Sequence, residues 1–291
     1  MVVVHEKLRV KFLEHQVMKD FHEDCGALFP CNWSRYVFSP DELDSILTRS
    51  LKFYNGSNPD KRKLAWLTYI DLVGHMVLAR EIVNRRALLG FCILNNLLFD
   101  WEDDLCSLET MDELIDEIND IVLDFFPEKF QHQVYSSWVN CAYCYFINRR
   151  FEIKEKVCNS SEEMFHFFRL SDGGIAAYLI ALISVYDDRD LLHIVAQEYT
   201  LNLLMKPFMY VNDVFSFNKE ITEEELANQL MILLAGTNLS LDQILKKMLV
   251  EITYNIDSLK LLFPEFYGVF IFWLRGNLEW SYVCSRYHKK E

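Results

Sequence analysis

Apolar residues recur along this chain three and four apart, the spacing of one helix face, and few segments alternate in the manner of a strand. The run from Lys61 to Trp101 shows the rule, with Leu64, Trp66, Leu67, Ile70, Leu72, Val73, Val77 and Leu78 at helical spacing. Upstream, residues 1–40 carry Pro30 and Pro40 and read as a helix followed by an irregular stretch. Asp41 can cap the next helix, which holds Leu43, Ile46, Leu47 and Leu51. Asn55-Gly56-Ser57-Asn58-Pro59 is a turn. Downstream of an acidic turn, helices are predicted over Met111 to Phe125 and Phe130 to Phe151. Another is opened by Ser160 or Ser161, breaks at Gly173-Gly174, resumes from Ile175 to Val185 and stops at Asp187-Asp188. The last four are predicted over residues 190–217, 223–235, 240–258 and 265–288. The pattern predicts an all-α domain of many long helices.

Composition supports that reading. Hydrophobic residues make up 51% of the 291, enough for a thick core, and nine glycines with six prolines leave little turn punctuation. No repeat or convincing linker interrupts the chain, so a single domain over 1–291 is expected. A formal net charge of −14 supplies no basic footprint and argues against nucleic acid. An anionic substrate would have to be received through bound metal and a few local cations. The eight cysteines form no disulfide-like framework. Cys141 and Cys144 make a C-x-x-C without a second ligand pair at zinc spacing, so they read as core thiols. The N-terminus shows no secretory pattern, and the longest apolar run, Gly173 to Tyr186, is too short to span a bilayer. A cytoplasmic protein without a transmembrane segment is expected.

Chemistry concentrates first in Asn212-Asp213-Val214-Phe215-Ser216-Phe217-Asn218-Lys219-Glu220. On a helix, Ser216 lies about 40° and Glu220 about 80° round from Asn212, and Lys219 about 20° to the other side. An amide oxygen, a hydroxyl and a carboxylate thus share one stripe, the hard oxygen set that a divalent cation prefers. The neighbouring ammonium suits a phosphate. A solvated polar face is the bland alternative, but Val214, Phe215 and Phe217 make the helix half-buried.

A second concentration is Asp100, Glu102, Asp103 and Asp104, at the end of an apolar helix containing Phe91, Leu94, Leu98 and Phe99. Acids at a helix C-terminus oppose the dipole and repel one another, so a cation is the natural partner. A solvated acidic terminus is the alternative. The third is Arg169-Leu170-Ser171-Asp172-Gly173-Gly174. Two glycines within a helix cost about 1 kcal/mol each against alanine, which implies a use, whether a helix break or a close helix crossing.

Residues 212–220 match, at every specified position, the second metal-binding motif of the class I terpene synthases, Asn/Asp-Asp-x-x-Ser/Thr-x-x-Lys/Arg-Glu. The resemblance extends over roughly residues 60–290, with its signatures in order. Asp100-Trp101-Glu102-Asp103-Asp104 resembles the Asp-rich motif but carries Trp101 at the second position. Two registers follow. Either Asp100 and Asp104 are the first and fifth carboxylates, which preserves the five-residue span and is favoured, or Asp103-Asp104 lead. Arg169, Asp172 and Gly173 resemble the diphosphate sensor, linker and effector of microbial members. Arg286-Tyr287, with Trp280 six residues earlier, resembles the C-terminal Arg-Tyr pair.

The resemblance implies a single-domain helical barrel that ionises and cyclises a linear prenyl diphosphate, most readily farnesyl diphosphate, with release of diphosphate. It implies Mg2+, three ions, with Mn2+ as the substitute. The implied ligands are Asp100 or Asp103, with Asp104, and Asn212, Ser216 and Glu220. Arg169, Lys219, Arg286 and Tyr287 would bind the diphosphate, and Phe99, Phe208, Phe215 and Trp280 are candidate pocket aromatics, each equally suited to core packing. A homodimer is an assembly the resemblance allows. Two rivals are a chain-elongating prenyl diphosphate synthase, which would show a second Asp-rich motif in place of 212–220, and a non-catalytic helical scaffold.

Overall fold

Local signals in the sequence set where the helices begin. The computed structural model describes residues 13–52, 54, 58–101, 108–150, 174–222 and 228–284. Among these the regular structure is helical, with no strand. The helices are α1 (His15–Leu28), α2 (Pro40–Ser50), α3 (Pro59–Met76), α4 (Arg85–Asp100), α5 (Leu108–Phe125) and α6 (Glu128–Arg150). They continue with α7 (Ile175–Tyr186), α8 (Arg189–Val195), α9 (Glu198–Thr222), α10 (Gln229–Gly236), α11 (Leu241–Leu262) and α12 (Tyr267–Val283).

The long apolar stretches are cut more often than periodicity alone predicts. The stretch from Lys61 to Trp101 is divided by a 3-10 turn, Val77–Ala79, and an extended link that ends at Asn84. Asn84 caps α4 by accepting from the Ala87 amide at 2.9 Å. The expected helix over 190–217 is two helices, with Asp188 capping α8 at the Leu191 amide (2.9 Å) and a break before Glu198. Asp41 does not cap α2. Ser39 does, in a capping box with Glu42 and with Pro40 in the first turn, which satisfies two orphan amides at once. The expected helix at 223–235 starts at Gln229, capped by Asn228; residues 223–227 lie outside the described residues.

The chain divides into two compact units. One comprises Ser34–Phe151 and Leu170–Leu201, and α4 is its central helix, packed against α2, α3, α5 and α7. Twelve of its sixteen residues are buried, from Ala87 to Asp100. Gly90 permits the crossing with α5, because a Cβ there would fall 2.4 Å from the Phe125 Cβ. Phe91 meets Trp138 and Tyr178 edge-on, at 6.4 and 4.5 Å between ring centres. Helix α7 starts after Gly174, whose φ of 61° favours a residue without a Cβ, and the helix expected upstream, from Ser160 or Ser161 to Gly173, lies outside the described residues. Cys141 is buried and Cys144 half-buried within α6.

The other unit comprises Met1–Trp33, Glu152–Arg169 and Asn202–Glu291. Here α1 packs on α11 and α12, and α11 also contacts α10 and α12. His22 stacks on Tyr282 at 4.2 Å and pairs with Glu279 at 3.3 Å. Arg275 bonds both Glu279 and the Gly26 carbonyl, tying the end of α1 to α12. Among the described residues, no helix is long and apolar enough to cross a membrane.

Candidate functional site

Helix α9 carries the stretch 212–220 through the core of its unit. Val211, Val214, Phe215 and Phe217 are all at most 1% exposed, so the apolar positions between the polar ones are buried as expected. Phe215 meets Phe21 and Tyr282 edge-on, at 6.2 and 5.9 Å. Its ring is therefore part of the packing that holds α9 against α1 and α12. Two further bonds fix α9. Glu251 of α11 accepts from Lys206 at 2.8 Å and from the Tyr210 hydroxyl. Burial by itself would raise the Glu251 pKa, but these two donors and the charges of Lys206 and Lys247 hold it below the ordinary carboxylate value.

Within the motif the polar side chains fall into two groups. Asp213 and Asn218 are spent on structure. Asp213 is fully buried, and its Oδ2 accepts the Gln229 amide at 2.7 Å. Asn218 bonds the backbone of Leu13 in both directions, accepting from its N–H at 2.7 Å and donating to its carbonyl at 3.0 Å. Asn212, Lys219 and Glu220 are half-buried, and Glu220 Oε2 accepts from the Asn228 amide at 2.8 Å.

Ser216 differs from all of these. Its hydroxyl is buried, 1% exposed, and has no hydrogen-bond partner. Leaving a buried polar group unsatisfied costs about 1–3 kcal/mol, so such an atom calls for an explanation. It lies on the helix face that carries the Asn212 amide and the Glu220 carboxylate, one turn from each. Hydroxyl, amide and carboxylate oxygens together form a donor set that fits a hard divalent cation such as Mg2+. Among the described residues no group of three or more His, Cys, Asp or Glu gathers as a metal site, and the oxygen set of α9 contains a single carboxylate.

Asp100, at the end of α4, is arranged differently. Its carboxylate pairs with Arg62 Nε and accepts from the Trp66 indole at 2.9 and 2.8 Å, both residues belonging to α3. Both side chains of the ion pair are only 11% exposed. Tyr54 stands edge-on to Trp66 at 5.8 Å, and the Arg62 guanidinium lies 5.9 Å from the Tyr54 ring centre. The acid expected to open the metal motif is thus bonded to a guanidinium and an indole. Phe99 stacks on Tyr69 at 4.3 Å. Phe208 and Trp280 are buried in the other unit, where the Phe208 carbonyl accepts from Asn277 at 3.4 Å. Asp103, Asp104, Arg169, Asp172, Gly173, Arg286 and Tyr287 lie outside the described residues.

One residue that contacts the motif went unnoticed in the sequence. Asn228 bonds Glu220 and also the Asp213 carbonyl, at 2.7 Å. An asparagine two residues before the apolar run Leu230 to Leu234 is a capping signal that could have drawn attention to it.

Comparison with known proteins adds kinship to this geometry. No family model matches the chain. In sequence it is 19% identical over 222 residues to cyclooctat-9-en-7-ol synthase of Streptomyces melanosporofaciens, covering 76% of this chain and 72% of that protein. In structure it resembles linalool/nerolidol synthase from Streptomyces clavuligerus, with a TM-score of 0.57 at 13% identity, over 87% of this chain and 99% of that one. The same enzyme in complex with 2-fluorogeranyl diphosphate gives 0.59 at 12% identity, over 87% and 97%. An α-eudesmol synthase gives 0.57 at 13% identity, again over 87% and 97%. The structural neighbours show that the fold is the helical one of these synthases, and the protein it resembles in sequence is likewise a microbial synthase.

Proposed function

We propose that the chain is a magnesium-dependent terpene synthase, one catalytic domain that ionises and cyclises a linear prenyl diphosphate, with farnesyl diphosphate as its substrate. The observation that carries the reading is the buried, unpartnered Ser216 hydroxyl on the motif helix. The relative that binds 2-fluorogeranyl diphosphate supports the substrate class.

In this reading Asn212, Ser216 and Glu220 would be magnesium ligands on α9, and Asp104 would be a magnesium ligand in the acidic stretch. The bonds that Asp100 makes to Arg62 and Trp66 favour Asp103-Asp104 as the leading pair of that stretch, with Asp100 as its anchor. Bound magnesium would neutralise the diphosphate and stabilise the charge that grows as it leaves. Lys219, Arg169, Arg286 and Tyr287 bind the same group, the arginines through bidentate charge-assisted bonds. Asp172 and Gly173 pass the movement of Arg169 to the helix break that precedes α7. Aromatic faces steer the allylic cation, and exclusion of water preserves it until cyclisation is complete. The protein acts in the cytoplasm.

The test is incubation with ten-, fifteen- and twenty-carbon prenyl diphosphates and Mg2+, with volatiles separated by gas chromatography. A terpene hydrocarbon or alcohol from the fifteen-carbon substrate is expected, and none in excess EDTA. Full turnover in EDTA would falsify the metal dependence, and turnover of the twenty-carbon substrate alone would overturn the substrate assignment.

A further inference from the structure

Glu220 is the last residue of the metal-binding stretch, and what orients its carboxylate is a side chain eight residues away. Asn228 is fully buried. Its Nδ2 donates one hydrogen bond to Glu220 Oε2 at 2.8 Å and one to the Asp213 carbonyl at 2.7 Å. Its Oδ1 accepts from the Leu230 and Met231 amides, at 2.9 and 3.3 Å, and so caps α10. A primary amide has two hydrogens to give and two lone pairs to fill, and here all four are used.

Capping alone does not require asparagine. Serine, threonine and aspartate cap a helix about as well, since an oxygen is all that the amides need. The donating half of the side chain is what distinguishes Asn228, and both of its hydrogens go to α9. One fixes the helix backbone between Asn212 and Val214, and the other fixes the carboxylate at the far end of the same polar stripe. The adjacent Gln229 amide, bonded to Asp213 Oδ2 at 2.7 Å, secures the same junction.

We propose that Asn228 is a positioning residue for the metal site: by holding Glu220 Oε2 and the Asp213 carbonyl with one amide, it presets the spacing and orientation of the α9 oxygen stripe for divalent cation binding. The proposal rests on the reading of residues 212–220 as the metal-binding stretch. Groups that orient metal ligands from behind are worth about 10- to 100-fold in affinity or activity.

Two variants separate positioning from capping. Asn228→Ser keeps a capping oxygen but cannot give two hydrogens across to α9. Asn228→Asp keeps the capping oxygen as well and sets an acceptor against the Glu220 carboxylate and the Asp213 carbonyl. Each is titrated with Mg2+ at fixed inorganic diphosphate, following the rise in melting temperature, with circular dichroism to verify helix content. Turnover is measured in parallel as a function of Mg2+ and of prenyl diphosphate. The Mg2+ midpoint is expected to rise about 10- to 100-fold in both variants. The KM for prenyl diphosphate at saturating Mg2+ should stay near the unmutated value, a split that a merely weakened α10 cap does not produce. If the unmutated protein responds to Mg2+ and diphosphate but either folded variant keeps its Mg2+ midpoint, the positioning role is overturned while the function stands. If the unmutated protein shows neither stabilisation nor product, the function and the inference fall together. Should Asn228→Asp not fold, Asn228→Ser decides by the same midpoint.

Discussion

Two stretches of this chain look like metal ligands on paper, and the structure treats them in opposite ways. At the end of α4, Asp100 has the charge a metal would want, but Arg62 and Trp66 already hold it. On α9, Ser216 has no charge at all, yet its hydroxyl is buried without a partner. Acid density alone therefore does not say which carboxylate is open to a cation. A carboxylate can be neutralised by any nearby guanidinium, whereas a buried hydroxyl left unsatisfied is a cost that a ligand can offset.

The sharpest way to break this comparison is Ser216→Ala. If the hydroxyl waits for metal, its removal lowers turnover at least about 100-fold, beyond the range of groups that only orient ligands. The fold should lose nothing, because deleting an unpaired buried hydroxyl is neutral or mildly stabilising. Gas chromatography of product beside a melting curve reads both effects. A drop in melting temperature together with near-normal turnover would mean that Ser216 is a packing residue.

Asp100→Asn is the mirror experiment and is expected to fail in the other direction. Removing the charge weakens the buried pair with the Arg62 guanidinium, a loss of about 1–3 kcal/mol. Urea unfolding should show it. Asp103→Asn should reduce turnover more than Asp100→Asn does once both are assayed below their melting points. The reverse order of turnover would restore Asp100 as the first metal-binding carboxylate.

A smaller effect separates two carboxylates by pH. Glu251, in the unit of α9, is held below the ordinary value of 4.5, so its contribution to stability is complete above that value and is lost as pH falls through the lower folded-state pKa. Glu117 on α5 is raised to about 7, by burial first and then by the charges of Glu113 and Asp120. Its contribution has the opposite sign: it is present below 4.5 and disappears as pH rises toward about 7. Glu117→Gln should therefore raise the melting temperature at pH 8 and leave it unchanged at pH 4. Glu251→Gln should lower it at pH 7, and much less in acid. Equal shifts at both pH values would show that neither group is coupled to folding in this way.

The helical class was legible because helix periodicity is a local property. The spacing of Leu64, Ile70 and Val73 needs no knowledge of what they pack against, and α3 appears where that spacing lies. Some boundaries were harder, because caps compete. Asp41 and Ser39 are both capping residues, and Ser39 opens α2 because Glu42 stands three positions on and Pro40 fits the first turn. The stripe on α9 was legible as geometry, since residues four apart on one helix share a face whatever surrounds it.

By itself, then, the sequence determined the helices, the polar stripe from Asn212 to Glu220 and the order of the motifs, all of which follow from spacing along the chain. Only the tertiary structure decided which polar atoms are already satisfied. Nothing near Asp100 in sequence announces Arg62, 38 positions earlier. The same holds for Leu13, 205 positions from the Asn218 side chain it meets. A hydrogen bond saturates an atom regardless of how far along the chain its partner lies. Whether a given oxygen remains open to a ligand is therefore settled only when distant segments have packed.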